Sequence, residues 1–221
     1  MDAPQKASGV DWVTTRRKPT MYPMIANRFK RPVTAVITPF CKRLLRLGVT
    51  PNGVTFFGAL GSVLSALYFF PAGEFFIGTL FVSLFALSDL FDGTMARLSE
   101  IGSTRWGALI DSTLDRLTDA SICAGILIYF YQQEGKSFTV LISLIALVTG
   151  SLIPYIRARA ESLGIECSVG IAERAERLIV LLVATGLYGL GISPALDIGL
   201  TLLSILGVIT IAQRLRVVAR S

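Results

Sequence analysis

Histidine is missing from this 221-residue chain altogether, and cysteine occurs only three times, at Cys41, Cys123 and Cys167. The first absence removes imidazole both as a metal ligand and as a proton acceptor. An odd number of cysteines in separate segments supports neither a disulfide framework nor a zinc site. We read the three as small apolar fillers. Charge is also scarce: 16% of residues are charged against 52% hydrophobic, and mean hydropathy is +0.64. Such a composition excludes an ordinary soluble domain and indicates an integral membrane protein with polar termini. Residues 1–30 never build an apolar run, so no secretory signal is expected ahead of the first span. No internal repeat or second domain is visible.

The charge that is present is unevenly placed. A net charge of +6 would suggest nucleic acid as a partner in a soluble protein, yet in the topology set out below all of the 21 lysines and arginines except Lys136 fall on one side. That is the asymmetry of a cytoplasmic face. It predicts contact with anionic lipid headgroups and no nucleic-acid partner.

Residues 1–27 mix Lys, Arg, Pro, Ser and Thr without periodicity and read as a flexible tail, and residues 28–221 read as a single membrane domain. From about 31 to 47, Val33, Val36, Ile37, Phe40, Leu44, Leu45 and Leu47 recur at helical spacing opposite Lys42, Arg43 and Arg46, which predicts an amphipathic interfacial helix. Thr50-Pro51-Asn52-Gly53 then marks a helix start, with Thr50 as its cap and Pro51 in its first turn. Six apolar runs follow, at about 52–71, 75–97, 107–132, 137–159, 175–192 and 195–215. Each is long enough to cross a bilayer core, some when tilted. Backbone satisfaction in lipid leaves helices as the open-chain option. The expected fold is therefore an all-α bundle of six transmembrane helices behind an N-terminal interfacial helix, in the plasma membrane, with both termini on the cytoplasmic side.

Within this apolar chain, one stretch concentrates acids. It reads Asp89-Leu-Phe-Asp92-Gly93-Thr-Met-Ala96-Arg97, then nine residues, then Gly107-Ala-Leu-Ile-Asp111-Ser-Thr-Leu-Asp115. Asp89 and Asp92 share one face at the end of one predicted helix, and Asp111 and Asp115 share one face at the start of the next. Carboxylates flanked by lipid-facing sequence need matching charge. Four of them suit two divalent cations, and all-oxygen ligation selects Mg²⁺, Mn²⁺ or Ca²⁺. The competing reading is a cation or proton relay in a transporter, but the acids are off-centre and no helix is broken around a midplane site. Gly93 and Ala96 would let a bulky anion approach the backbone, and Arg97 would grip its phosphate.

The spacing Asp-x2-Asp-Gly-x2-Ala-Arg-x9-Gly-x3-Asp-x3-Asp, with all eight fixed positions filled between Asp89 and Asp115, resembles the signature of the CDP-alcohol phosphotransferases. The resemblance implies that an alcohol hydroxyl attacks the lipid-attached phosphorus of a CDP-lipid and that CMP leaves. It implies Asp89, Asp92 and Asp111 as metal ligands, with Asp115 as general base and possible further ligand. The cofactors would be two Mg²⁺ or Mn²⁺ ions. It also puts Thr50, Pro51, Asn52 and Gly53 near the nucleotide, with Gly93, Arg97, Ser103 and Thr104 holding the diphosphate. Ser103 and Thr104 can equally be a plain helix cap. Asp119 continues the Asp111 and Asp115 face by one turn and reads either as a structural partner of Arg116, the preferred reading, or as a further substrate contact.

Arg157, Arg177 and Arg214 come from three different helices at the level of the acids and, where they converge, would bind a second phosphate. The alternative is that they are ordinary cytoplasmic anchors, the reading preferred for Arg159, Arg174, Arg216 and Arg220. Tyr155-Ile-Arg157-Ala-Arg159-Ala-Glu161 and Glu173-Arg174-Ala-Glu176-Arg177-Leu-Ile are similar to segments of the actinobacterial phosphatidylinositol phosphate synthases, where Lys is commoner at the position of Arg157. That likeness implies CDP-diacylglycerol as donor, inositol phosphate as acceptor and a homodimer. A phosphatidylglycerophosphate synthase is the alternative within the family, since its acceptor also carries a phosphate. The small residues Gly58 and Gly61 offer close helix packing without establishing a dimer.

Overall fold

The computed structural model describes residues 37–99, 102, 104–171 and 173–221. The expected tail, the first part of the interfacial helix and Ser103 lie outside the described residues. Every regular element among the described residues is an α-helix. Residues 37–46 form the described part of α1, followed by α2 (Pro51–Phe69), α3 (Phe75–Ala86), α4 (Ser88–Leu98), α5 (Arg105–Tyr131), α6 (Ser137–Ser162), α7 (Arg174–Gly189) and α8 (Pro194–Val218).

The helix starts follow local chemistry. Thr50 caps α2 by accepting from the Gly53 amide at 3.1 Å, with Pro51 in the first turn. Thr104 caps α5 in the same way, accepting from the Gly107 amide at 2.9 Å. Glu173 and Glu176 close a capping box on α7. The second apolar run differs from expectation. It is two helices of 12 and 11 residues, α3 and α4, which meet at Leu87. Asp89 therefore stands in the first turn of α4, where a helix dipole favours an acid, rather than at the end of a continuous helix.

Four segments are long and apolar enough to cross a membrane: Pro51–Phe69, Phe75–Leu98 taken through the break, Ser137–Ser162 and Pro194–Val218. Of the other two predicted spans, α5 carries Asp111, Asp115, Arg116 and Asp119 along its N-terminal and middle turns, and α7 has only 16 residues. Apolar side chains point outward as well as inward, with Phe57, Leu64, Leu84, Leu141 and Ile198 exposed, as on helices whose outer faces meet lipid.

α2 packs on α3 and α5, α6 on α5 and α8, and α7 on α3 and α8. The core is formed by Ala66, Phe70, Phe75, Val82, Ile122, Ile126, Leu181, Leu196 and Leu200, with Phe75 ringed by Phe70, Tyr129, Phe130 and Tyr188. Hydrogen bonds between side chains tie helices where water is scarce: Thr79 to Thr185 at 2.8 Å and Thr139 to Asp197 at 2.7 Å. The three free cysteines are buried, as their reading as fillers requires. Cys41 seats α1 against α4, facing the Phe91 carbonyl at 3.7 Å.

Gly58 and Gly61 are used inside the fold. A Cβ on Gly58 would fall 1.7 Å from Ser88 Oγ, and one on Gly61 would fall 2.4 Å from the Phe85 ring. A tighter constraint is Gly125 on α5, where a Cβ would lie 2.5 Å from the Ala66 carbonyl oxygen of α2. Backbone cannot step aside as a side-chain tip can, so Gly125→Val is expected to cost about 1–3 kcal/mol. The measurement is a melting temperature in detergent, with Gly150→Ala as control because nothing lies within 4 Å of its added Cβ. A Gly125→Val melt as high as the control's would mean that α2 and α5 are not held this closely.

Candidate active site

The four acids split: Asp92 and Asp111 face the first turn of α2 across a cleft, while Asp89 and Asp115 lie outside its lining and are bridged by Arg174 at the start of α7. Asp92 and Asp111 both line a cleft of ≈ 570 Å³, together with Thr50, Pro51, Asn52, Thr55, Gly93, Ala96, Gly102, Thr104 and Gly107. Its walls follow from the local sequence. The free N-terminal turn of α2 faces the cleft, and α5 can approach it because residue 107 is glycine. A Cβ there would lie 2.8 Å from Asn52 Oδ1. Gly93 presents open space, with nothing within 4 Å of where its Cβ would be, as the approach of a bulky anion requires. Gly102 adopts φ 68°, a left-handed turn between α4 and α5 that favours glycine. An apolar groove of ≈ 550 Å³, lined by Phe40, Leu44, Val54, Phe57, Leu84 and Phe85, shares Val49 and Thr50 with the cleft.

Not every residue singled out in the sequence reaches the cleft. Arg97 is exposed and is not in the lining, and its Nη2 donates to Thr94 Oγ1 at 3.1 Å along its own helix. Gly53 faces the apolar groove instead. Thr104 is both helix cap and cleft wall, so its two readings coexist.

The acids divide into two sets. Asp92 is buried and accepts from Thr55 Oγ1 at 2.6 Å, while Asp111 has no hydrogen-bond or ion-pair partner among the described residues. On the other side Arg174 Nη1 lies 2.9 Å from Asp89 Oδ2 and 2.8 Å from Asp115 Oδ1, and its Nε lies 3.5 Å from Asp119 Oδ1. Arg116 Nη2 stands 3.6 Å from Asp115 Oδ2, and Arg177 Nη2 stands 3.9 Å from Asp119 Oδ2. The donor set is all carboxylate, which fits Mg²⁺ or Mn²⁺ and not a softer metal. Among the described residues no three of these acids are yet drawn around one point, and a guanidinium holds two of them.

Two residues that contact the acids, Arg174 and Thr55, were not placed at the site by the sequence. Arg174 reads as an anchor, yet its side chain is only 23% exposed and it grips the acidic cluster. Thr55 carried one available signal, lying one helical turn beyond Asn52 on the same face. Asp119 pairs with Arg174 and Arg177 rather than with its expected partner Arg116.

The three arginines proposed for the acceptor are engaged separately. Arg157 is exposed and bonds Glu161 on its own helix at 2.8 Å. Arg214 is buried, donating from Nε to the Val169 carbonyl at 2.9 Å and from Nη1 to the Ile153 carbonyl, so it pins the α6–α7 connection to α6. Only Arg177 lines a cavity of ≈ 40 Å³ beside the acids, shared with Arg116, Asp119 and Thr149. That volume holds a water or two rather than a sugar phosphate.

The site is thus an acid-bearing, glycine-walled cleft that shares Val49 and Thr50 with an apolar groove, in an all-helical fold with four helical segments long and apolar enough to cross a membrane. The sequence model of the CDP-alcohol phosphatidyltransferase family matches residues 48–213, and the chain belongs to that family. Among its relatives is the phosphatidylinositol phosphate synthase of Streptomyces avermitilis, 41% identical over 211 residues that cover 91% of this chain and 86% of that one. The synthase of the same name from Cutibacterium acnes is 43% identical, covering 88% of this chain and 98% of its own. A crystal structure of the Mycobacterium tuberculosis phosphatidylinositol phosphate synthase with CDP-DAG bound superposes with a TM-score of 0.79 at 41% identity, over 83% of this chain and 94% of that one. The same enzyme with manganese and citrate gives 0.78 at 42% identity, over 82% and 88%. Family membership makes this chain an enzyme and sets the transporter reading aside.

Proposed function

We propose that the protein transfers the phosphatidyl group of CDP-diacylglycerol to a hydroxyl of inositol phosphate, releasing CMP and forming phosphatidylinositol phosphate. The carrying observation is the cleft that joins the acids to an apolar groove through Val49 and Thr50. The groove suits acyl chains, and the cleft, which Asp92 and Asp111 line, suits the diphosphate and cytidine. The name shared by the relatives supports this donor and acceptor.

The acceptor oxygen forms a bond to the lipid-attached phosphorus as the bond from that phosphorus to the CMP oxygen breaks. The hydroxyl proton passes to a carboxylate. With no histidine in the chain, Asp115 is our choice, since the Asp111–Asp115 face of α5 lies between the cleft and Arg177. Divalent cations held by Asp89, Asp92, Asp111 and Asp115 would supply charge stabilisation to the diphosphate. Thr55 holds Asp92 in one orientation through its 2.6 Å hydrogen bond. Thr50, Asn52, Gly93 and Thr104 form the nucleotide and diphosphate walls, and Arg97 reaches the diphosphate only by leaving Thr94. Mg²⁺ or Mn²⁺ in two sites fits the four carboxylates.

Arg177 is the best supported acceptor-phosphate residue, since it faces the acids from α7 with Arg116, Arg174 and Arg214 in electrostatic range. Arg157 joins it by turning from Glu161, and Arg214 by releasing a carbonyl. In the membrane, six spans are completed by α5 and α7, with the basic ends and both termini at the cytoplasmic face of the plasma membrane. A homodimer is part of this reading.

An acceptor panel on purified protein, scored by CMP release, is the test. Inositol phosphate should support turnover, while free inositol, glycerol 3-phosphate and serine should not. Arg177→Gln should raise the inositol phosphate KM by roughly tenfold or more, the loss of a charge-assisted phosphate contact, with the CDP-diacylglycerol KM little changed. Preference for glycerol 3-phosphate would transfer the chain to phosphatidylglycerophosphate synthesis, and equal changes in both KM values would remove the acceptor role of Arg177.

A further inference from the structure

Arg174 is placed where a cation is locally disfavoured. It is the first residue of α7, at the positive end of the helix dipole, inside a capping box made by Glu173 and Glu176. Partners on other helices hold it there. One nitrogen, Nη1, donates to Asp89 Oδ2 of α4 at 2.9 Å and lies in an ion pair 2.8 Å from Asp115 Oδ1 of α5. These oxygens belong to the donor set assigned to divalent cations. A guanidinium this close to the two carboxylates repels a second cation and occupies part of the oxygen surface that the ion would use.

The other edge of the same guanidinium is unfinished. Arg174 Nε and Asp119 Oδ1 are both buried without a hydrogen-bond partner, and they face each other at 3.5 Å. A shift of about half an ångström would bring them within ordinary bonding distance. For Arg174 to leave the metal-ligand acids, that movement must also carry Nη1 off Asp89 and Asp115. Asp119 is also the one acid in the cluster without a part in the metal reading.

We propose that Arg174 is a positioning residue with two berths: on Asp89 and Asp115 it takes the place of a divalent cation and keeps their charge matched, and on Asp119 it stands aside for the ion. This rests on the reading of the four aspartates as metal ligands. A fixed structural arginine would support its carboxylates, so its loss would weaken metal binding by the roughly 10- to 100-fold typical of such partners. A competing arginine has the opposite sign.

The experiment is a Mn²⁺ titration of the full chain in detergent, read by electron paramagnetic resonance of the free ion and by the melting temperature of the ion-free protein. Arg174→Gln should tighten Mn²⁺ binding by roughly tenfold and lower the ion-free melting temperature, with Mn²⁺ restoring it. Arg174→Lys keeps the charge with a shorter reach and should give an intermediate Kd, and it serves should the glutamine variant not survive purification. Asp119→Asn should weaken Mn²⁺ binding in the wild type and leave it unchanged in the Arg174→Gln background. Binding by Arg174→Gln that is equal to or weaker than wild type overturns the competition, and an equal Asp119→Asn effect in both backgrounds overturns the second berth. A wild type that takes up no Mn²⁺, or an Asp111→Asn variant that binds it as the wild type does, defeats the metal reading itself and the two berths with it.

Discussion

Asp115→Asn is expected to lower kcat by roughly 10²- to 10⁴-fold, the range that a positioned proton acceptor contributes. The side chain has the right surroundings for a base that must be delivered to a substrate. It lies on the α5 face that continues from Asp111 at the cleft to Asp119, which Arg177 faces from α7. Its Oδ1 forms an ion pair with Arg174 Nη1 at 2.8 Å, and asparagine keeps the shape of the side chain while Arg174 retains its hydrogen bond to Asp89. The variant should therefore fold, bind CDP-diacylglycerol and melt close to wild type while failing to turn over. The assay is single-turnover CMP release beside nucleotide binding by the same preparation. Full activity in the variant would remove the base assignment, and loss of nucleotide binding together with turnover would make Asp115 chiefly a ligand.

The second large effect is expected at Asp111. Among the described residues this carboxylate has no hydrogen bond or ion pair, and it lines the cleft with Asp92. Asp89 repels the charge of Asp111 while Arg174 and Arg116 attract it from beyond ion-pair distance, so these opposed effects leave its net contribution to the fold small. Asp111→Asn should leave the ion-free melting temperature unchanged or slightly raised. Its affinity for Mn²⁺ should fall by at least the roughly 10- to 100-fold that losing even an outer partner of a metal costs, and activity should fall with it. Asp92→Asn is a poorer probe, because it also disturbs the Thr55 hydrogen bond at 2.6 Å. Unaltered Mn²⁺ affinity in Asp111→Asn would place the ions elsewhere.

Much of this site was legible in the chain because its parts are local. Two acids three residues apart, or four apart, share a helix face whatever surrounds them. A Thr-Pro-Asn start caps its own helix, as Thr50 does through Gly53. The arginines were not legible for the opposite reason. Arg157, Arg174, Arg177 and Arg214 look alike in sequence, but each long side chain takes whichever acceptor the other helices bring within reach. For Arg157 that is Glu161, for Arg214 two backbone carbonyls, and for Arg174 three carboxylates. The break at Leu87 was hidden too, because an apolar run reads the same whether one helix crosses it or two.

The sequence by itself determined the all-helical class, the membrane environment, the positions of the acids and the family chemistry they serve. Hydropathy, helical period and motif spacing act over a few turns of chain and need no knowledge of neighbours. Only the tertiary structure decided which cation faces which acid, that Gly58 and Gly61 are used within the fold, and that cleft and apolar groove meet at Val49 and Thr50. Those are contacts between helices far apart in sequence, fixed by packing and by the cost of leaving a buried charge unmatched.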